Sequence, residues 1–167
     1  MAKKVAEMGV FVALAMIFSY VEVLIPFHFG IPGVKLGIAN LVIVVGLYLF
    51  PAKEVFGISV VRILLMGLLF GNGVSILYSL VGGILSFFVM LFCKKVSVFS
   101  VIGVSVAGGV FHNIGQILAA MVVLWNVRIV SYLPVLLVAG VVTGALNGYL
   151  SKKISSIMLQ ARKQMEK

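Results

Sequence analysis

The sequence contains no aspartate, and four glutamates are all the acidic side chains among its 167 residues. It also lacks a GxxxxGK[ST] phosphate-binding loop and an HExxH zinc-binding helix. Serine and histidine are both present, but no acid is placed to orient a histidine as the base of a nucleophilic pair. The sequence therefore predicts neither an ATPase nor a magnesium-dependent transferase, and we expect no enzyme activity, cofactor or metal site.

Cysteine and charge are also scarce. Cys93 is the single cysteine, which excludes an internal disulfide and a cysteine-ligated metal cluster, and we expect it to be a structural thiol. Charged residues make up 10% of the chain, whereas apolar residues make up 63%. A water-soluble core cannot bury so large an apolar fraction. The composition therefore indicates an integral membrane protein.

The apolar residues form long runs with short polar breaks, a pattern typical of transmembrane α-helices of roughly 20 residues. We predict an all-α integral membrane fold, a bundle of six transmembrane helices in one domain, 1–167. The predicted spans are 5–25, 34–50, 55–70, 74–93, 98–124 and 133–150. Residues 151–167 are predicted to form a cytoplasmic helical tail near the inner surface. The apolar side of this tail would consist of Ile154, Ile157, Met158 and Ala161.

The formal charge of +9 is interpreted from the positions of the basic residues. Most lysines and arginines lie at span ends that a six-span alternation places on one side of the membrane. An excess of Lys and Arg in short loops marks the cytoplasmic face, which predicts an N-in/C-in protein of the bacterial inner membrane. Nucleic-acid binding requires a continuous basic surface with aromatic residues, and the sequence offers none.

Polar side chains inside the spans are the candidates for function, because they are costly in lipid. The candidates for a substrate-binding cavity open to the outside are Glu22, Lys35, Asn40, Arg62, Asn72, Tyr78, His112, Asn113 and Gln116. Lys35 and Arg62 suit an anionic ligand group. Asn113 and Gln116 would supply hydrogen bonds, and Tyr78 would stack on the ligand.

The same polar side chains have a structural alternative. Polar groups also hold membrane helices together, and Glu22 is able to pair with Lys35 or with Arg62. Both readings stay open at this point.

Small residues at intervals of four allow helices to approach closely. Gly9 and Ala13 form one such pair on the first span, and Ala15 and Ser19 form another. Glycine pairs also occur at 82–83 and 108–109. Internal packing explains all of them, but the pair on the first span also suits docking of another membrane subunit, since this span lies at an end of the bundle.

Four segments of the chain together carry a family resemblance: PGVKLGIANLV (32–42), RILLMGLLFGN (62–72), YSLVGGILS (78–86) and FHNIGQILAA (111–120). Across nearly the whole chain they resemble the bacterial membrane family labelled Gx transporter or heptaprenyl diphosphate synthase component I. That family is similar to the S-components of energy-coupling factor (ECF) vitamin transporters, which have six helices and N-in/C-in topology. The resemblance implies a subunit that captures a small, partly apolar and anionic nutrient from outside, with isoprenoid- or quinone-related compounds as candidates.

The resemblance also implies partners. S-components work with a transmembrane T-component and two cytoplasmic ATPases, and their first helix carries an AxxxA docking pattern. Gly9 and Ala13 are the nearest match to that pattern here. The synthase label implies an alternative, a non-catalytic membrane accessory subunit of a polyprenyl diphosphate synthesis complex. Prenyl diphosphate synthases use Asp-rich motifs, so a chain without aspartate is not the catalytic subunit.

Overall fold

The computed structural model describes residues 2–24, 37–96 and 98–165, and the protein is all-α over these ranges. The α-helices are α1 (Ala2–Leu24), α2 (Ile38–Leu49), α3 (Ala52–Phe70), α4 (Gly73–Val96), α5 (Val101–Leu124) and α6 (Leu133–Met165). A short 3-10 helix, Val127–Tyr132, precedes α6. No strand occurs in the described ranges, so the predicted fold class is confirmed.

Four segments of the described chain are long and apolar enough to cross a membrane, and they belong to α1, α4, α5 and α6. This finding confirms a multi-pass membrane protein. α2 has 12 residues, which at 1.5 Å per residue spans about 18 Å, less than the roughly 30 Å of a hydrocarbon core. α3 carries Lys53, Glu54 and Arg62. The number of six spans therefore stays a prediction.

α2 lies in the interior of the bundle. Nine of its 12 residues are buried, and it packs against α1, α3, α5 and α6. A helix that is apolar on every side is stable only where other helices surround it. Because other helices surround α2 over most of its length, partners for the free backbone groups near its ends come from neighbouring helices.

Basic side chains from two other helices complete the C-terminal end of α2. Lys94 of α4 donates a hydrogen bond to the Leu47 carbonyl, and Arg162 Nη1 of α6 donates to the Leu49 carbonyl over 3.1 Å. Arg162 also forms an ion pair of 2.8 Å with Glu7. Cations are favoured beside the last carbonyls of a helix. These residues, interpreted from sequence as topology signals, also stabilise the fold.

The N-terminal end of α2 is completed at Gly37, whose φ of 68° is a left-handed conformation that glycine adopts without strain. The Glu22 carboxylate accepts a hydrogen bond from the Gly37 N–H. Asn147 Nδ2 donates to the Gly37 carbonyl over 2.6 Å, and the Asn40 N–H donates to the same carbonyl over 2.9 Å. A carboxylate beside a helix N-terminus is favoured by the helix dipole. Gly37 is therefore bound by α1 through its N–H and by α6 through its carbonyl.

The C-terminal half of α6 runs parallel to α2, and this pairing explains the 33-residue length of α6. Asn147 contacts Gly37, Ser151 Oγ donates to the Leu41 carbonyl over 3.3 Å, and Arg162 reaches the Leu49 carbonyl. The predicted helical tail is thus continuous with α6, and its place near the inner surface stays a prediction.

The apolar side predicted for the tail is only partly right. Ile154 and Met158 pack against the core, whereas Ile157 is 62% exposed and Ala161 is exposed. Buried Ser151 and Ser155 complete the inward stripe. The prediction followed hydrophobicity alone and missed these serines, although small polar side chains fit where helices approach closely.

Glycines bring α4, α5 and α6 into close backbone contact. A Cβ atom added to Gly144 would lie 2.7 Å from Val106 Cα, and one added to Gly115 would lie 2.8 Å from Gly82 Cα. The predicted internal packing of the glycines at 82–83 and 108–109 is confirmed, because an added Cβ at each would collide with a neighbouring helix. The sequence analysis missed the α6 repeat Gly140, Gly144 and Gly148, which faces α5 along its length.

We predict that Gly144→Ala destabilises the bundle, because the new methyl group would meet backbone atoms of α5 that cannot move independently. Overpacking of this kind costs about 1–3 kcal/mol. Gly57→Ala is the matched control, since a Cβ there meets nothing within 4 Å and the helix gains propensity. Thermal unfolding in detergent measures both. Equal melting temperatures for the two variants would contradict the close approach of α5 and α6.

We also predict that Asn147→Leu lowers stability by about 0.5–1.5 kcal/mol, because it removes the hydrogen bond from Nδ2 to the partly buried Gly37 carbonyl, which then keeps only the Asn40 N–H among the partners described. The matched control is Asn126→Leu. Asn126 is exposed and its Oδ1 accepts from the Arg128 N–H over 3.0 Å, a bond that water replaces after substitution. A loss of stability as large in the control as in Asn147→Leu would argue against the role given to Gly37.

Candidate ligand-binding cavity

A cavity of about 280 Å³ lies at the end of the bundle opposite Lys94 and Arg162. It is formed by the C-terminal halves of α1 and α3, the N-terminal ends of α2 and α4, and the middle of α5 and α6. Its polar lining consists of Ser19, Glu22, Asn40, Arg62, Ser75, Ser79, His112, Asn113 and Thr143. Val23, Ile63, Met66 and Phe70 supply apolar lining. The cavity therefore combines charged, neutral polar and apolar surface.

The structure brings five of the predicted site residues to this cavity: Glu22, Asn40, Arg62, His112 and Asn113. They come from α1, α2, α3 and α5. Helices that are distant in sequence thus place their polar side chains around one space.

Four predicted site residues do not belong to the described lining. Lys35 lies outside the described residues. Asn72 and Ser75 cap the start of α4, where the Ser75 N–H donates to Asn72 Oδ1 over 2.8 Å. Gln116 is buried beside Gly82, at the contact of α4 with α5. Tyr78 is half-buried on α4.

Arg62 is the buried cation of the cavity, with 8% of its surface exposed. Its Nη1 donates to Ser19 Oγ over 3.3 Å, and that hydroxyl donates to the Ala15 carbonyl over 2.8 Å. The Ser19 hydroxyl hydrogen is therefore committed, and the oxygen lone pairs face the guanidinium. Within the described part of the chain, Arg62 Nε has no hydrogen-bond partner. Arg62 is thus oriented by the protein with donor capacity left over.

Glu22 has a dual position. Its carboxylate lines the cavity and attracts Arg62 electrostatically, while it accepts the hydrogen bond from the Gly37 N–H. Glu22 therefore stabilises the N-terminal end of α2 and also forms part of the cavity wall. The two readings of the polar residues, structural and functional, apply together at this residue.

Asn113 presents an acceptor to the cavity. Its Nδ2 donates to the Leu136 carbonyl of α6 over 2.6 Å. A carbonyl accepts hydrogen bonds only, so the amide nitrogen must face Leu136, and Oδ1 and the second N–H of Nδ2 remain for other contacts. Thr143 is similar, since its hydroxyl donates to the Ala139 carbonyl over 2.8 Å. Both side chains are left with acceptor capacity.

The hydroxyls of Ser19, Ser75, Ser79 and Thr143 are lining residues that the sequence analysis did not assign to a site. One signal was available for Ser19. It precedes Glu22 by three residues, so the two side chains share one face of α1. The other three hydroxyls stand on helices whose rotation is set by packing, which single-sequence patterns do not reveal.

Comparison with known proteins places the chain in a family. No curated protein and no solved structure matches it. The family described as heptaprenyl diphosphate synthase component I matches residues 11–154. That range extends from α1 into α6 and contains every described residue that lines the cavity. The similarity to ECF S-components stays a prediction. The chain belongs to the heptaprenyl diphosphate synthase component I family of membrane proteins.

Proposed function

We propose that this protein is the substrate-binding membrane subunit of an importer of the energy-coupling factor type. In this role it captures a small, partly apolar and anionic nutrient in the cavity and does not itself hydrolyse ATP. The observation that carries the proposal is the buried guanidinium of Arg62, which lines a cavity with both polar and apolar walls.

Burial of Arg62 is difficult to explain by fold stability alone. A buried charge is costly unless hydrogen bonds and opposite charge compensate it. Ser19 and Glu22 compensate Arg62 in part, yet Nε has no partner among the residues described. A side chain that served only to join helices would do so at lower cost as a neutral group. The arrangement suits an anionic ligand that completes the compensation.

In the proposed orientation, the cavity takes up ligand from the external side of the membrane. Exposed lysines at 53, 95 and 163 stand at the end of the bundle opposite the cavity. If that end faces the cytoplasm of a bacterium, as the distribution of basic residues favours, the cavity opens toward the external side of the inner membrane. Ligand capture followed by inward transfer requires this orientation.

The proposed partners are a transmembrane T-component, which docks on α1, and two cytoplasmic ATPases. Gly9 and Ala13 are exposed, and a Cβ added to Gly9 meets nothing within 4 Å. Ala15 and Ser19, the other small pair of α1, are buried against the bundle. The two pairs thus divide the faces of α1, one for internal packing and one for a second membrane helix.

A second candidate function follows from the description of the family. In this alternative the protein is a non-catalytic membrane subunit that anchors or regulates a soluble prenyl diphosphate synthase. The exposed basic end of the bundle would then contact the synthase.

Co-purification distinguishes the two functions. We predict that the protein, extracted gently from its own membranes and analysed by native mass spectrometry, carries a T-component and ATPase subunits. The physical reason is that a chain without a nucleotide-binding loop needs an external source of energy for uptake. Recovery of a soluble prenyltransferase without ATPases would instead establish the accessory function.

We further predict that Gly9→Leu or Ala13→Leu prevents assembly with the T-component, because the larger side chains keep the partner helix at a distance. Ligand binding by the isolated protein should be unchanged, since neither residue lines the cavity. Gly57→Leu is the matched control, with equal added bulk at another open position. Intact assembly of both α1 variants in a pull-down would place the docking surface elsewhere.

A further inference from the structure

We propose that the cavity binds a compact monocarboxylate, whose carboxylate pairs with Arg62 and whose hydrogen-bond donor contacts Asn113. This inference rests on the proposed function and specifies the class of ligand that the same site takes. It follows from three features of the cavity: the balance of charge around Arg62, the Glu22 carboxylate at the N-terminus of α2, and the cavity volume.

The first feature is the balance of charge. Of the described residues that line the cavity, Arg62 and Glu22 carry formal charges. Glu22 accepts the Gly37 N–H at the start of α2, so its negative charge is partly offset by the positive end of the helix dipole. Arg62 is therefore compensated less than a dedicated ion pair would be. An anion beside Arg62 would complete the compensation.

The second feature decides between carboxylate and phosphate. Phosphate groups in proteins are commonly held by the free N–H groups of a helix N-terminus together with basic side chains. Here the Glu22 carboxylate already accepts the N–H of Gly37, the residue before the first turn of α2, and its negative charge would repel a multiply charged phosphate at this end of the helix. A single guanidinium offers two parallel N–H groups, which fit a planar carboxylate. The site thus favours one carboxylate over a multiply charged phosphate.

The third feature is volume. The cavity volume of about 280 Å³ lies near the lower limit of ligand-binding cavities, about 300–1,000 Å³. A cavity of this size suits a compact molecule better than a long polyprenyl chain. The ligand is therefore compact, with an apolar part that meets Ile63, Met66 and Phe70.

The neutral polar groups of the cavity indicate which hydrogen-bonding group the ligand carries besides its carboxylate. Asn113 Oδ1 and the Thr143 hydroxyl oxygen are left as acceptors, while one N–H of Asn113 and the Thr143 O–H bind backbone carbonyls. An acceptor that is shielded from water selects ligands that donate a hydrogen bond, because an analogue without the donor leaves it unpaired. A hydroxyl or amide N–H on the ligand meets this requirement.

The experiment measures binding of defined probes to the purified full-length protein by isothermal titration calorimetry. The probes are para-hydroxybenzoate, its neutral isostere para-hydroxybenzamide, benzoate, inorganic diphosphate and geranyl diphosphate. We expect para-hydroxybenzoate to bind at least about tenfold more tightly than the amide, because the amide lacks the charge that Arg62 pairs with. Benzoate, without the donor, should bind more weakly than para-hydroxybenzoate. The diphosphates should bind no better than the amide.

Substitutions of arginine test whether the probes bind in the cavity. Arg62→Gln should remove the preference for carboxylate over amide, and Arg62→Lys should restore it in part. Arg128→Gln is the control, since it removes an exposed arginine that does not line the cavity. The comparison of carboxylate with amide uses the unaltered protein and stands even if an Arg62 variant fails to fold.

Three results would overturn the inference: equal binding of acid and amide, tighter binding of a diphosphate, or no binding of any monocarboxylate from butyrate to para-hydroxyphenylacetate. The importer function would survive each of them if the T-component and ATPases co-purify, since that measurement uses no added ligand. Conversely, carboxylate-selective binding without those partners would refute the importer and retain the inference.

Discussion

The short helix α2 is surrounded by other helices over most of its length, and the protein supplies partners for backbone groups at its two ends, which lipid would leave without partners. At one end Glu22 and Asn147 bind the N–H and the carbonyl of Gly37, and at the other Lys94 and Arg162 bind carbonyls of the last turn. These contacts come from α1, α4 and α6. The hydrogen bonds at the two ends of α2 thus constrain the rotation of three longer helices and the length of α6.

The cavity depends on the same arrangement. The cavity lies at the N-terminal end of α2, where Gly37 and Asn40 form part of the lining. Glu22 fixes α2 and faces Arg62 across this space. A substitution at Glu22 would therefore change the position of α2 and the electrostatic potential of the cavity together. Arg62 does not bind an end of α2. Its hydrogen bond to Ser19 joins two side chains, so a substitution at Arg62 changes the cavity without removing a partner of that helix end.

The sequence was sufficient to predict an all-α membrane protein and most of the polar residues that converge, because charges and amides stand out against an apolar background. Where each polar side chain lies depends on packing, which a single sequence does not reveal. Asn72 caps a helix and Gln116 lies between α4 and α5, although both are equivalent to Asn113 by composition alone. The sequence of α2 does not decide whether it spans the membrane, since burial by protein and burial by lipid select the same apolar residues. The contact of α6 with α2 could not be predicted, because the two partners are 110 residues apart in sequence.

The description of the family and the chemistry of the cavity favour different ligands. A prenyl diphosphate carries several negative charges, which synthases neutralise with magnesium held by aspartates, and this chain has no aspartate. The described lining offers one guanidinium, and the N–H at the start of α2 is already bound by Glu22. Because Glu22 also stabilises the buried end of α2, the protein cannot release it to admit a diphosphate without destabilising that end. A connection to prenyl diphosphate synthesis would thus run through another surface of the protein, and the exposed basic end opposite the cavity is the surface with the appropriate charge.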